Sequence, residues 1–141
     1  MDDFTITLNI KSKLDYLPLI RRVVREICSS LVCKEEIFQD IELCLNEALS
    51  NVIHHAYHNE SDRELQLMVT LCKDEVVFQI VDQGLKNPYL NKPLMPDQDL
   101  IPLNPLEETG RGLFIIHKLM DEVIYSHKEN KNILFLRKRF K

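Results

Sequence analysis

The sequence predicts an α/β fold of the α+β type, in which helices cover one face of a mostly antiparallel, mixed sheet to form a two-layer sandwich. Some segments alternate apolar with polar residues, as half-buried strands do, whereas others repeat apolar residues every three or four positions, as helices do. The two kinds of segment do not alternate regularly along the chain, which argues against a doubly wound parallel sheet. The length of 141 residues predicts one domain over residues 1–141.

Each element is predicted from one of these two periods. Apolar residues alternate over residues 4–10 and predict the first strand, and they recur three and four apart over residues 17–31, which predicts the first helix. In chain order, the remaining elements are a helix over about residues 35–57, strands over 65–72 and 76–81, a helix over 112–120, and strands over 122–125 and 133–139.

A long segment without either period separates the third strand from the third helix. Residues 85–109 contain five of the six prolines, and all three glycines, Gly84, Gly110 and Gly112, lie at or just beyond its two ends. A loop of this length in a compact domain is usually a functional lid or a disordered segment. Because the flexible residues are confined to its ends, we expect a moving lid.

Composition and charge exclude several classes of protein. The formal net charge is −4, which argues against a dedicated nucleic-acid binder. No apolar stretch approaches the roughly 20 residues that cross a bilayer, and the acidic start is unlike a signal peptide, so we expect a cytoplasmic protein without a membrane partner. No C-x-x-C pair occurs, so free thiols are expected at Cys28, Cys33, Cys44 and Cys72.

The second helix carries a polar group of side chains on one sector. Glu47 and Asn51 are four residues apart, and His54 and His55 follow at seven and eight. A carboxamide oxygen is a ligand that Mg²⁺ accepts beside phosphate oxygens, and a carboxylate can take a proton from an attacking hydroxyl. A solvated helix face is the commoner origin of such a spacing.

Two further segments place polar or glycine residues at the ends of elements. Asp82-Gln83-Gly84 directly follows a strand, where a carboxylate can accept a hydrogen bond from the amino group of a base; an Asx turn explains the same tripeptide. Residues 109–113 read TGRGL where the loop meets the third helix. Free amides at a helix start can bind phosphate, and a flexible hinge with a cap is the alternative.

In this order the three segments resemble the nucleotide-binding motifs of the GHKL ATPase superfamily, in the form used by bacterial anti-sigma factor serine kinases of the RsbW and SpoIIAB type. Residues 47–57 read EALSNVIHHAY and resemble the N box, E-A-x-x-N followed by H-[AG]-Y. Asp82-x-Gly84 resembles the first glycine box, and TGRGL, running into MDEV at residues 120–123, resembles the second. The resemblance implies the Bergerat, or histidine-kinase-like ATPase, fold with an ATP lid over about residues 85–109.

The resemblance implies ATP and Mg²⁺ as cofactors and gives individual residues their roles. Asn51 would coordinate Mg²⁺, and Glu47 would be the general base for phosphoryl transfer to a serine. Asp82 would accept a hydrogen bond from the adenine amino group, and Gly84 would let the base approach. The remaining ATP-binding positions are His55, in a supporting place, and, around the phosphates, Thr109, Gly110, Arg111, Gly112 and Leu113.

The resemblance also implies a function and partners. Such proteins are serine-protein kinases that phosphorylate an anti-anti-sigma antagonist of the STAS type, and they act as anti-sigma factors by sequestering a sigma factor as homodimers. Arg21, on the first helix, is the kind of residue that contacts these partners, although its spacing alone indicates only a solvated side chain.

Two stretches differ from the pattern of that family. Leu85 and Lys86 stand where a further glycine often follows the first glycine box, and Asn132 and Ile133 stand where the last strand often carries Gly-Thr. These differences motivate an alternative function, a non-catalytic partner-binding module that is either ATP-gated or nucleotide-independent. A third possibility, the catalytic module of a sensor histidine kinase, is disfavoured by the E-A-x-x-N form of the N box.

Overall fold

The described strands form one five-stranded antiparallel sheet. The structure is a computed structural model that describes residues 3–30, 34–86 and 108–140. The strands are β1 (Phe4–Lys11), β2 (Glu64–Leu71), β3 (Glu75–Asp82), β4 (Glu122–Lys128) and β5 (Lys131–Arg139). Their order in the sheet is β1-β2-β3-β5-β4, and each neighbouring pair is antiparallel, so no parallel pairing occurs among these described strands.

Three helices pack on one face of this sheet. They are α1 (Leu17–Cys28), α2 (Glu35–Asn51) and α3 (Glu108–Leu119). Alternate residues of the central strands, such as Val69 and Phe78, are fully buried against apolar stripes on the helices that include Leu45 and Ile116. The core therefore lies between the helical layer and the sheet, and the predicted α+β sandwich is confirmed. The described strands are all antiparallel, however, so the expected mixed character of the sheet is not found among them.

The second helix ends earlier than its apolar pattern predicts. After Asn51 the chain widens into a π-helical turn, Val52–Ala56, and then reverses through His58 and Asn59, both with positive φ. Tyr57, which is 1% exposed, donates a hydrogen bond to the carbonyl of Glu64, and its hydroxyl accepts one from the backbone N–H of Gln83 at 2.8 Å. The turn therefore fixes the end of α2 beside the end of β3.

Other boundaries also differ from the predicted ones. Helix α1 ends at Cys28, where the backbone N–H and hydroxyl of Ser29 both bond to the carbonyl of Glu26, at 3.2 and 2.6 Å. Helix α3 begins at Glu108 instead of residue 112, and most of the predicted lid, residues 87–107, lies outside the described residues.

The described part of the chain bears on two further expectations. Of the four cysteines, Cys28, Cys44 and Cys72 keep their thiols outside any disulfide within the described ranges, as predicted, and Cys33 lies outside those ranges. Within the described ranges, no helix has both the length and the apolar character needed to cross a bilayer.

Candidate functional site

A small cavity lies between the end of α2 and the sheet, next to the end of β3. Its volume is about 30 Å³, enough for about one water molecule and far below the roughly 300 Å³ at which small-ligand pockets usually begin. The residues that line it are Ala48, Asn51, Val52, Ala56, Asp82, Leu85, Leu113, Tyr125, Asn132 and Leu134. The cavity therefore joins residues from all three predicted motifs.

Gly112 brings the backbone of α3 against two of the predicted site residues. Glu47 and Asn51 are one turn apart on α2 and share a face. A Cβ atom at Gly112 would lie 2.9 Å from Oε2 of Glu47 and 3.0 Å from Nδ2 of Asn51. The absent side chain of Gly112 allows this close approach, which places the carboxylate, the carboxamide and the α3 backbone together.

The carboxamide of Asn51 has a hydrogen-bond donor that makes no hydrogen bond within the described residues. Its Nδ2 atom is buried and has no hydrogen-bond partner among the described residues. Leaving a buried polar group unpaired costs about 1–3 kcal/mol, and such groups in proteins usually mark a bound water, ion or ligand. The side chain of Asn51 is therefore available to a bound molecule at the cavity.

Asp82 is a buried carboxylate at the end of β3 and is 5% exposed. Its Oδ1 atom accepts hydrogen bonds from the backbone N–H of Gly84 at 2.9 Å and from Nδ2 of Asn132 at 2.8 Å. Burial raises the pKa of Asp82, and these two hydrogen bonds act in the opposite direction because they stabilise the charged form. The Asp82 carboxylate thus accepts hydrogen bonds in a buried position of low dielectric constant.

Gly84 lies directly against the π-helical turn. A Cβ atom there would lie 2.6 Å from the carbonyl carbon of Ala56, and the neighbouring Leu85 donates its backbone N–H to the oxygen of that carbonyl at 2.9 Å. The close approach, rather than a positive φ, is what requires glycine at this position. It fixes the chain where the predicted lid begins.

Asn132, on β5, is a site residue that the sequence marks only as a departure from the last-strand pattern of the family. It is 3% exposed, pairs with Asp82 across the β3–β5 ladder, and its carboxamide also bonds to Tyr125 and His127. Antiparallel pairing sets this contact between residues 50 apart in sequence. The register of β5 would have revealed it, but no local pattern does.

For the other predicted site residues, the described part of the structure shows no side chain that lines the cavity apart from that of Leu113. His55 lies half-buried on the π-helical turn, where its ring meets that of His54 edge-on with centroids 6.3 Å apart, and it is not among the residues that line the cavity. Thr109, Gly110 and Arg111 belong to the first turns of α3, but their side chains lie outside the described part.

Arg21 lies apart from this cavity, on α1. Its side chain is half-buried, and its Nε atom is buried without a hydrogen-bond partner among the described residues. Neighbouring Arg25, in contrast, bonds to Glu35 and Glu42 at 2.6 Å each and so links α1 to α2. Arg25 therefore stabilises the packing of α1 on α2, whereas the Nε–H of Arg21 makes no hydrogen bond within the described residues.

Comparison with known proteins assigns this arrangement to a family. The profile of the histidine kinase-like ATPase domain matches residues 10–138, which include Glu47, Asn51, Asp82 and Gly112. The chain belongs to this family. The expected histidine kinase-like ATPase fold is therefore confirmed, and the cavity lies among the residues that the motif resemblance indicates.

Curated relatives of this histidine kinase-like ATPase domain include serine-protein kinases. The serine-protein kinase RsbW of a Bacillus cereus strain is 26% identical over 131 residues, which are 92% of this chain and 81% of that protein. The RsbW of Bacillus thuringiensis subsp. konkukian matches with the same figures. The resemblance to the RsbW type is thus confirmed.

Solved structures share the fold of the domain. A chain in the SiaB–SiaC complex from Pseudomonas aeruginosa superposes with a TM-score of 0.69 at 16% identity, over 94% of this chain and 87% of that chain. The RsbU and RsbW domains of a Mycobacterium tuberculosis protein give a TM-score of 0.67 at 15% identity. The match covers 96% of this chain and 32% of that longer one.

Proposed function

We propose that this protein is an ATP-dependent serine-protein kinase that phosphorylates an anti-anti-sigma antagonist with a STAS domain and acts as an anti-sigma factor in a bacterial partner-switching system. The observation that carries the proposal is that Asn51 and Asp82 line one cavity while Gly112 holds Glu47 beside Asn51. These side chains supply an acceptor for a base together with a cation ligand and a proton acceptor. Family membership and the RsbW relatives support the same function.

The base of the nucleotide would bind at Asp82. A buried carboxylate accepts a hydrogen bond from the exocyclic amino group of adenine, and the backbone of Gly84, packed against Ala56, holds the chain beside that carboxylate. A base needs more space than 30 Å³, so Leu85 and Leu113 would move from the cavity on binding. Leu85 is 60% exposed and is the first residue of the predicted lid, which makes its displacement inexpensive.

The phosphates and Mg²⁺ would bind at the other predicted motifs. The amide oxygen of Asn51 would be the ligand of the ion, and its buried Nδ2, which has no partner among the described residues, could donate a hydrogen bond to a phosphate oxygen. When bound, Mg²⁺ supplies positive charge that neutralises the phosphate oxygens. The residues proposed to surround the phosphates, chiefly through backbone amides of α3, are Thr109, Gly110, Arg111, Gly112 and Leu113.

Glu47 would act as the general base. Its carboxylate lies beside Asn51 and the α3 backbone, so that it would take the proton of the substrate serine while that hydroxyl attacks the γ-phosphate. The bond between the γ-phosphorus and the bridging oxygen would break, and ADP would leave with that oxygen. Positioning and electrostatic stabilisation are the main contributions that a protein makes to this reaction, and the general base adds to them. His55 would support the site from the π-helical turn without contacting the reacting atoms.

The partners follow from the same proposal. We propose that the half-buried Arg21 on α1 contacts the STAS-domain antagonist or the sigma factor with the exposed part of its side chain, and that the protein works in the cytoplasm as a homodimer. Sedimentation equilibrium would then give twice the chain mass of 16.6 kDa. A species at the single-chain mass at micromolar concentration would overturn the homodimer.

A transfer assay tests the kinase. The purified protein is mixed with the STAS-domain proteins of its own organism and with Mg²⁺ and ATP labelled in the γ-phosphate. Glu47→Ala should lower transfer by about 100-fold or more, the usual contribution of a general base, while nucleotide affinity changes little. Glu36→Ala, an exposed glutamate in the first turn of the same helix, is the matched control. Equal transfer by Glu47→Ala would contradict the role of this residue.

The closed cavity favours one alternative. A volume of 30 Å³, together with Lys86 and Ile133 at positions that differ from the family pattern, is also compatible with a non-catalytic partner-binding module. Stable partner binding with no phosphate transfer, over wide ranges of Mg²⁺ and ATP concentration, would support that module. Transfer by the unmodified protein would exclude it.

A further inference from the structure

We propose that Leu43 on α2, together with Ile115 on α3, binds an apolar side chain next to the acceptor serine of the protein substrate and so helps to select that substrate; this role rests on the proposed kinase function. Leu43 is 44% exposed, although the other apolar residues of its helix are buried or half-buried. Single exposed leucines are common in proteins. The position of Leu43 relative to the site, and not its exposure alone, therefore carries the inference.

Leu43 continues the row of proposed site residues along α2. Leu43, Glu47 and Asn51 follow one another at intervals of four residues, so they lie on one side of the helix and about 6 Å apart along its axis. Asn51 also lines the cavity that contains Asp82. The order along the helix is therefore the cavity, the proposed cation ligand, the proposed general base and then an exposed apolar side chain.

Helix α3 runs antiparallel to this part of α2. Near the start of α3, Gly112 lies against Glu47. At its other end, the carbonyl of Leu119 accepts a hydrogen bond from Lys138, whose Nζ atom also lies 3.8 Å from the carboxylate of Asp40. The two helices therefore lie side by side over the segment of α2 that contains Leu43.

Ile115 is on the side of α3 that faces α2. It follows Gly112 by three residues, so the two share one side of the helix, and its side chain is half-buried. Because the helices are antiparallel, Ile115 lies opposite the part of α2 that precedes Glu47. Leu43 and Ile115 thus border the space beyond the proposed general base with two partly exposed apolar side chains.

The geometry of phosphoryl transfer brings the acceptor serine to this end of the site. The serine oxygen forms its bond to the γ-phosphorus roughly in line with, and opposite to, the bond that breaks as ADP leaves. With the base at Asp82 and the cation at Asn51, ADP occupies the cavity end of the row, so the serine enters beside Glu47. Substrate residues next to that serine then lie about one helical turn from Leu43.

The chemistry of these two side chains defines what they would bind. An apolar side chain that is partly exposed in the free protein gains free energy when a second apolar side chain covers it. A charged side chain placed there would lose water without gaining a partner from Leu43 or Ile115. The preferred substrate therefore carries an aliphatic residue next to its acceptor serine.

Steady-state transfer kinetics test the role of Leu43. The substrate is the STAS-domain protein that the transfer assay identifies, at saturating Mg-ATP. Leu43→Ala should raise KM for this protein about tenfold and change kcat less than about twofold, and Leu43→Met should restore most of the loss. Ile124→Ala removes a similarly exposed apolar side chain from the sheet face opposite the helices and is the matched control. An unchanged KM in Leu43→Ala, or an equal rise in Ile124→Ala, would overturn the inference.

Site-specific crosslinking identifies the molecule that covers Leu43. With p-benzoylphenylalanine in place of Leu43, irradiation in the presence of ADP and the same STAS-domain protein should join position 43 to the tryptic peptide that contains the acceptor serine. Crosslinks to a distant peptide of that protein, or only to a second copy of this chain, would overturn the inference.

Nucleotide binding distinguishes a failure of this role from a failure of the proposed function. Leu43→Ala should bind Mg-ATP as tightly as the unmodified protein does, because Leu43 lies beyond the γ-phosphate; weaker binding would mean that it maintains the nucleotide site instead. If the unmodified protein phosphorylates no STAS-domain protein, the proposed function and the role of Leu43 are both overturned. Transfer with the same KM in Leu43→Ala would overturn the role of Leu43 alone.

Discussion

Asp82 is held where ionisation is unfavourable, and its hydrogen-bond partners offset only part of that cost. Burial is the largest influence on its pKa and raises it, while the hydrogen bonds from Asn132 and Gly84 lower it. An asparagine at this position could accept the same two hydrogen bonds without a charge. Retaining a carboxylate there is typical of a residue kept for function rather than for stability.

The substitution Asp82→Asn should therefore separate function from stability. We expect nucleotide binding to be lost, while the free energy of unfolding at pH 7 stays within about 1 kcal/mol of the unmodified value or exceeds it. The pKa of Asp82 is higher in the folded than in the unfolded chain, so the unmodified protein gains stability relative to the variant as the pH falls from 7 through that raised pKa. Urea denaturation at pH 7 and at a series of lower pH values at which the protein stays folded measures both effects. A much less stable variant at pH 7 would contradict this account.

Gly112 should matter for binding more than for folding. In Gly112→Ala the new Cβ meets the ends of the Glu47 and Asn51 side chains, which can turn away, and alanine favours a helix over glycine by about 1 kcal/mol. We expect unchanged or higher stability and at least tenfold weaker Mg-ATP binding. Thermal unfolding and calorimetric titration measure the two quantities.

Gly84→Ala is the contrasting variant. Its Cβ meets the backbone carbonyl of Ala56, which cannot turn away, so the substitution should cost about 1–3 kcal/mol of stability. Equal losses of stability in the two glycine variants would mean that the packing around Gly112 is as rigid as that around Gly84.

At the scale of elements, the π-helical turn after α2 holds the end of β3 in place. The hydroxyl of Tyr57 joins the backbone of β2, at Glu64, to the backbone just after β3, at Gln83. Tyr57→Phe leaves both backbone groups without this partner and should destabilise the protein by about 1–3 kcal/mol. Tyr16→Phe, at an exposed tyrosine, should change stability little. Equal stability of the two variants in urea would contradict a structural role for this hydroxyl.

Strands and helices could be predicted from the sequence because the spacing of apolar residues within each of them is a local feature of the chain. Alternation located the strands, and helical spacing located the three helices, because one face of each is buried against the core. The end of α2 was not predictable, since Val52 and Ile53 continue the apolar pattern through the π-helical turn. Asn132 was missed as a site residue for a different reason: its contact with Asp82 depends on strand pairing across 50 residues.

At the scale of the whole molecule, three distant segments converge on one cavity. Residues Asn51, Asp82 and Leu113 come from α2, β3 and α3, and the sheet and helical layer bring them together. Spacing alone left each segment with an ordinary structural explanation. Their resemblance to the motifs of one family predicted the convergence, and packing supplied contacts that the motifs do not specify, namely those of Tyr57 with Gln83 and of Asn132 with Asp82.

Calorimetric titration of the unmodified protein with Mg-ATP tests the central claim most directly. Asn51→Ala removes the carboxamide whose buried Nδ2 has no partner among the described residues, and Asn46→Ala on the same helix is the control. We predict saturable binding by the unmodified protein and by Asn46→Ala, and loss of binding in Asn51→Ala. No binding by the unmodified protein at millimolar Mg-ATP, or equal binding by Asn51→Ala, would contradict a nucleotide site at this cavity.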